Sequence, residues 1–98
     1  MRIAFRDAKL EKTYQTGVNH ARLGDAVFKA FIAKTAFLAA ITSESELYTF
    51  KSLHYELLRG DRAGQRSIRL NKQFRLVFTL ETDPQGKFIF IIEVVDYH

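Results

Sequence analysis

An α+β fold, with N-terminal helices packed on a small antiparallel β-sheet, is what three features of the 98-residue sequence predict. Apolar residues in the first half recur three and four apart, the helical spacing. From about Tyr55 they alternate with period two, the spacing of a strand with unlike faces. Clusters of Gly, Asp, Asn and Pro separate the alternating runs, so consecutive strands connect through tight turns.

Arg2 to Phe5 alternates polar and apolar residues, enough for a short first strand or an extended lead-in. Asp7 is a helix cap candidate. Leu10 and Tyr14 make one apolar stripe behind it, and Gly17 supplies a stop. Asp25 is a second cap candidate, ahead of Val27, Phe28, Phe31, Ile32, Thr35, Leu38 and Ala39 with Lys29 and Lys34 off the stripe. Ser43-Glu44-Ser45-Glu46 matches the capping box and predicts a further helical turn over Leu47 to Phe50. Gly60 to Gly64 then turns the chain into two strands expected to be half-covered. Ile68 and Leu70 share one face, with Ser67 and Arg69 on the other. After the Asn71-Lys72-Gln73 link, Phe74, Leu76, Phe78 and Leu80 point one way and Arg75, Val77 and Thr79 the other. A turn at Asp83-Pro84-Gln85-Gly86 leads to Phe88–Val95, apolar at both parities apart from Glu93 and therefore a strand buried on both faces.

Composition narrows the chemistry. The length allows one domain spanning residues 1–98, and 47% apolar residues with 13% aromatics suit a packed core. Without cysteine, thiol nucleophiles, disulfides and zinc thiolates are excluded. His20, His54 and His98 show no metal-ligand spacing, no glycine-rich phosphate loop is present, and no cofactor is expected. Charges interrupt the first residues where a signal peptide needs its apolar stretch, and the longest apolar runs, Ala36–Ile41 and Phe88–Ile92, are far below the ~20 residues that span a bilayer. A cytoplasmic protein without membrane contact is the expectation.

The net charge of +4 is unevenly placed. Residues 51–75 hold seven basic side chains (Lys51, Arg59, Arg62, Arg66, Arg69, Lys72, Arg75) against two acidic ones, while the rest of the chain is close to neutral. Such a segment suits a polyanion, bound through phosphate neutralisation and counterion release, or it is the solvated face of a basic protein. Asp96-Tyr97-His98 follows the last strand. In an antiparallel meander that strand can deliver a carboxylate, a phenol and an imidazole to a sheet end near Arg59, Arg62, Arg69 and Arg75. This set can cleave RNA without a metal: the ribose 2′-hydroxyl is the nucleophile, so the protein must supply a base, an acid and fixed cations. On pattern alone each residue has a second reading. His98 is equally an exposed residue, Tyr97 a lid on the core edge, Asp96 a partner for a sheet arginine, Arg69 and Arg75 solvent-face charges, and His54 a structural histidine.

One stretch carries a family resemblance. Leu58-Arg59-Gly60-Asp61-Arg62, Gly64, Ser67-Ile68-Arg69, Asn71, Phe74 and Arg75 resemble the central motif of HigB toxins in the RelE/ParE superfamily, and Asp96-Tyr97-His98 resembles that family's common ending. Phe5-Arg6-Asp7, Leu10-Glu11-Lys12 and Gly17 are similar to its opening. The resemblance implies the compact RelE-like microbial RNase fold and the toxin of a type II toxin–antitoxin pair, a ribosome-dependent endonuclease cutting mRNA in the 30S A site. It also implies a helix-turn-helix, HigA-like antitoxin, bound as a heterotetramer. Carried over by position, Arg59 supports the phosphate in the transition state and His98 or Asp96 transfers protons. Tyr97 orients or stacks on a base, and His54 lies near the site. Arg62, Arg69 and Arg75 bind RNA backbone or brace the site, with Arg66 and Lys72 joining them as RNA-binding candidates. Relatives often carry lysine at the position of Arg59; arginine is the better fixed cation and the poorer proton donor. Other readings on the same fold are a ParE-like gyrase poison and a catalytically inactive antitoxin-binding relative.

Overall fold

The computed structural model describes residues 1–96. The sequence-derived candidates Tyr97 and His98 lie outside the described residues. The chain runs β1 (Arg2–Phe5), α1 (Ala8–Thr16), α2 (Asp25–Ala40), α3 (Ser45–Thr49), β2 (Glu56–Leu57), β3 (Arg66–Arg69), β4 (Phe74–Asp83) and β5 (Gly86–Asp96). Three helices thus cover one face of a five-stranded sheet ordered β1-β5-β4-β3-β2.

Local chemistry sets the helix ends. Asp7 Oδ1 accepts from the amides of Lys9 (2.8 Å) and Leu10 (3.0 Å), which satisfies two orphan donors at the start of α1. At its end Gly17 takes φ 73°, a left-handed conformation that costs glycine little, and its N–H returns to the Thr13 carbonyl. Asp25 does not cap α2. Gly24 holds the cap position without a side-chain bond, and Asp25 is the first helical residue, where its charge still favours the positive end of the helix. The Ser43–Glu46 box is half formed: Glu46 Oε2 accepts from the Thr42 amide (2.8 Å) and the Ser43 amide (3.2 Å), while the Ser43 hydroxyl pairs with Ser45 Oγ instead of an amide. These bonds to its ionised form hold the Glu46 carboxyl below its ordinary value.

Helical spacing on α2 buries Val27, Phe31, Thr35 and Leu38. They pack with Leu10, Ile41 and Leu47 against Ile68, Leu76, Phe78, Ile89 and Ile91 of the sheet. Phe31 and Phe78 are completely buried, each contributing roughly 2–3 kcal/mol by removing apolar surface from water. Two threonines enter this core without orphaned hydroxyls. Thr35 Oγ1 donates to the Phe31 carbonyl, and Thr13 Oγ1 donates to the Lys9 carbonyl while accepting from the Ala21 amide, which fastens the loop after α1.

The α+β class stands, but the sheet is mixed. β1 pairs with β5 in parallel, Arg2 opposite Phe88 through Phe5 opposite Ile91. A four-residue strand carries no sequence signal of its direction. β3, β4 and β5 form the expected antiparallel meander, with Asn71 Oδ1 closing the first turn by accepting from the amides of Gln73 and Phe74. A register shift next to Val77 and Phe78 leaves Ile92 as the extra residue on β5. Parity therefore changes along that strand: Ile89, Ile91 and Val94 share the helix-side register, whereas Glu93 and Val95 pair with Val77 and Arg75 on the other face.

The expectation of half-covered strands needs correction. Ser67, Arg75 and Val77 lie on the face away from the helices and are nonetheless buried. The chain from His54 to Arg62 closes over them, so β3 and β4 are covered on both sides where it passes.

Candidate functional site

Between that covering segment and the sheet lies a cleft of about 460 Å³ lined by Glu56, Leu57, Leu58, Arg59, Arg62, Ser67, Val77, Val95 and Asp96. Its wall is built by short-range bonds. Glu56 and Leu57 pair with Ser67 and Arg66, and the Leu58 amide donates to the Gln65 carbonyl at 2.9 Å. The 3₁₀ turn Gly60–Arg62 then reverses the chain, with Gly60 at φ 64° and Gly64 at φ 88°, both positive and both suited to glycine. This Gly-Asp-Arg turn presents Arg59 and Arg62 to the cleft.

Arg75 fastens the wall to the sheet. Its guanidinium, 6% exposed with its residue, donates through Nε to Ser67 Oγ (2.8 Å) and through Nη2 to the His54 carbonyl. Glu56 Oε2 lies 3.6 Å from the same Nη2. Three points on the cleft wall and floor therefore converge on one buried cation. His54 adopts a left-handed backbone, φ 48°, which aims its carbonyl at Arg75; its side chain is exposed.

The other cations differ in what they touch. Arg62 is committed on both sides, donating from Nη1 to Gln65 Oε1 and from Nη2 to Glu93 Oε2, each at 2.8 Å. Arg59 is exposed in the cleft and, among the described residues, its guanidinium has no hydrogen-bond or ion-pair partner. Arg69 pairs in register with Arg75, as the meander requires, and Lys72 sits exposed at the turn between β3 and β4. Arg66 faces the opposite side of the sheet, its Nε 3.6 Å from Glu44 Oε2. There it joins the Tyr55 hydroxyl, which donates to the same carboxylate at 2.9 Å. Burial, helped by that hydrogen bond, pushes the Tyr55 phenol well above the ordinary phenol range against the opposing charge of Arg66. Arg66 thus braces α3 against the sheet, away from the cleft.

Asp96, at the end of β5, lines the cleft mouth, and its Oδ2 accepts from Gln73 Nε2 at 2.9 Å. Sequence reading therefore brought Arg59, Arg62 and Asp96 to one cleft with Arg69 and Arg75 adjoining. It missed Glu56 and Leu57, whose two-residue strand is too short for periodicity to reveal. The cleft joins an apolar floor of Leu57, Val77 and Val95, able to receive a flat base, to guanidinium groups of the sort that hold phosphate. Among the described residues, no three His, Asp or Glu side chains cluster as metal ligands.

An antiparallel meander with two N-terminal helices on one face and an arginine-rimmed cleft on the other is the arrangement of the RelE-like toxin fold. The whole chain superposes on a YoeB/ParE toxin from Agrobacterium tumefaciens, covering all of both chains with a TM-score of 0.58 at 17% identity. It likewise superposes on YafQ from E. coli, covering 98% of this chain and 93% of that one with a TM-score of 0.64 at 12% identity. A YoeB–YefM complex from Staphylococcus aureus matches over 100% and 97% with a TM-score of 0.57 at 22% identity.

Sequence narrows this to one family. The profile of the HigB-like toxins, described as the RelE-like toxin of the type II toxin–antitoxin system HigB, matches residues 3–98. Toxin HigB-1 of Vibrio cholerae is 35% identical over 78 residues, 80% of this chain and 82% of the relative. A Haemophilus influenzae protein is 32% identical over 79 residues, 81% and 78% of the two chains. The chain belongs to the HigB-like family of RelE-type toxins.

Proposed function

We propose that the chain is an mRNA endonuclease that cuts translated message in the ribosomal A site without a metal, by attack of a ribose 2′-hydroxyl on the adjacent phosphate. The observation that carries this reading is the cleft itself, where Arg59 stands exposed beside Arg62 and Asp96 above an apolar floor. In the reaction the 2′-oxygen bonds to phosphorus, the 5′-oxygen leaves, and the non-bridging oxygens carry the developing charge. Arg59 is the cation aimed at that charge; removing one such donor typically lowers kcat by about 10²–10³-fold. Proton transfer falls to Asp96 or His98, as base to the 2′-hydroxyl and acid to the leaving oxygen, with Tyr97 orienting or stacking on a base. Arg62, Arg69 and Lys72 bind the backbone around the scissile linkage, and Arg75 with the His54 carbonyl holds the wall in place. Arg66 acts at a distance, through α3.

In this reading the chain works in the cytoplasm and is silenced by an antitoxin. The S. aureus YoeB–YefM complex, on the same fold, supports such a partner; a helix-turn-helix, HigA-like protein in a heterotetramer is the assembly proposed. The test expresses the intact chain, a version lacking His98 and Arg59→Ala, and maps new mRNA 5′ ends on translating ribosomes. Codon-phased cuts that vanish in both variants support the reading. Toxicity without new ends, accompanied by double-strand DNA breaks, would replace it with gyrase poisoning.

A further inference from the structure

Glu93 is the one charged residue inside an otherwise apolar strand, and neither the core nor the proposed cleavage chemistry explains it. The bulge at Ile92 turns it onto the cleft face, opposite Val77. There its Oε2 receives two guanidinium groups from separate elements, Arg62 Nη2 of the cleft wall at 2.8 Å and Arg6 Nη2, just beyond β1, at 3.7 Å. Arg6 is not among the cleft-lining residues, so this pair carries the cationic path from the cleft wall toward β1.

We propose that Arg6 and Arg62 form a phosphate subsite for the RNA backbone next to the cleft, and that in the free protein the Glu93 carboxylate occupies it as a stand-in for phosphate. This rests on the nuclease reading above and extends the bound RNA beyond the cleft. A carboxylate and a phosphodiester offer the same pair of oxygens to a guanidinium fork. All three side chains are well over a third exposed, so a phosphate from solvent can reach the pair, and an exposed ion pair is weak enough to be displaced by a polyanion. Glu93 thereby weakens loose RNA binding, and engaged RNA must displace it.

The test measures fluorescence anisotropy of a labelled single-stranded oligoribonucleotide against salt concentration, for the full chain and its Glu93→Gln, Arg6→Ala, Arg6→Ala/Glu93→Gln and Glu81→Gln variants. Glu81→Gln makes the same charge change at an exposed position on β4. Glu93→Gln is expected to bind about three- to tenfold tighter than the parent, with a salt dependence steeper by about 0.7, one further phosphate contact. Glu81→Gln should gain far less, and the gain from Glu93→Gln should vanish without Arg6. Equal gains from Glu93→Gln and Glu81→Gln, or a gain that persists in the double variant, would overturn the subsite while leaving the nuclease reading intact. Should Glu93→Gln fail to fold, Arg6→Ala decides alone, an unchanged salt slope counting against the subsite. A parent protein that does not bind RNA, on or off the ribosome, removes both readings.

Discussion

Replacing Arg75 with methionine keeps most of the side-chain volume and removes the charge that joins cleft wall to sheet. Two buried acceptors then lose their donor: Ser67 Oγ, on a residue 1% exposed, and the His54 carbonyl. Each unsatisfied group costs about 1–3 kcal/mol. Loss of the contact to Glu56, whose side chain is 47% exposed, adds less than about 1 kcal/mol. The expected loss is therefore about 3 kcal/mol, which lowers the melting temperature of a domain this size by roughly 12–24 °C. Urea unfolding at constant m-value gives the number directly, and a cycle with Ser67→Ala isolates the hydrogen bond, with coupling near 1 kcal/mol. A methionine variant within about 0.5 kcal/mol of the parent, or a cycle with no coupling, would refute Arg75 as the brace, since a solvent-face arginine gives that result.

Asp7→Ala removes the acceptor for two amides at the start of α1 and should cost about 1 kcal/mol by urea denaturation, with Asp7→Asn restoring most of it. Phe31→Ala leaves a cavity at the centre of the core and should cost about 3–5 kcal/mol in the same assay. Because folding raises the Tyr55 phenol, its contribution is fully present below the unfolded value of about 10 and is lost as pH rises from there toward the folded value. The urea midpoint of the parent should therefore fall more steeply above pH 10 than that of Tyr55→Phe.

Much of the architecture was legible because it depends on local chemistry. The apolar stripe from Val27 to Leu38, the Asp7 cap, the Gly17 stop and the turn at Asn71 need only residues close in sequence, and all are present. What depends on long-range pairing was not legible. The parallel partner of β1, the bulge at Ile92 and the covering of Ser67, Arg75 and Val77 by residues 54–62 leave no trace in periodicity. For the site, Arg59, Arg62 and Asp96 came together because a specific motif precedes them and a strand delivers the third. Alternation put Arg66 and Arg75 wrong in kind: it reads every charge in a strand as solvent-facing, whereas Arg75 is buried under the cleft wall and Arg66 is turned to Glu44 on the helix side.

Analysis of the fragment ends from mRNA cut on programmed ribosomes tests the central claim most directly. Attack by the ribose 2′-hydroxyl, with Arg59 supporting the phosphate, predicts upstream fragments ending in 2′,3′-cyclic phosphate and downstream fragments beginning with 5′-hydroxyl, the yield falling about 10²-fold or more in Arg59→Ala. Fragments carrying 5′-phosphate and 3′-hydroxyl ends, the signature of water as nucleophile, or full cutting by Arg59→Ala, would contradict it.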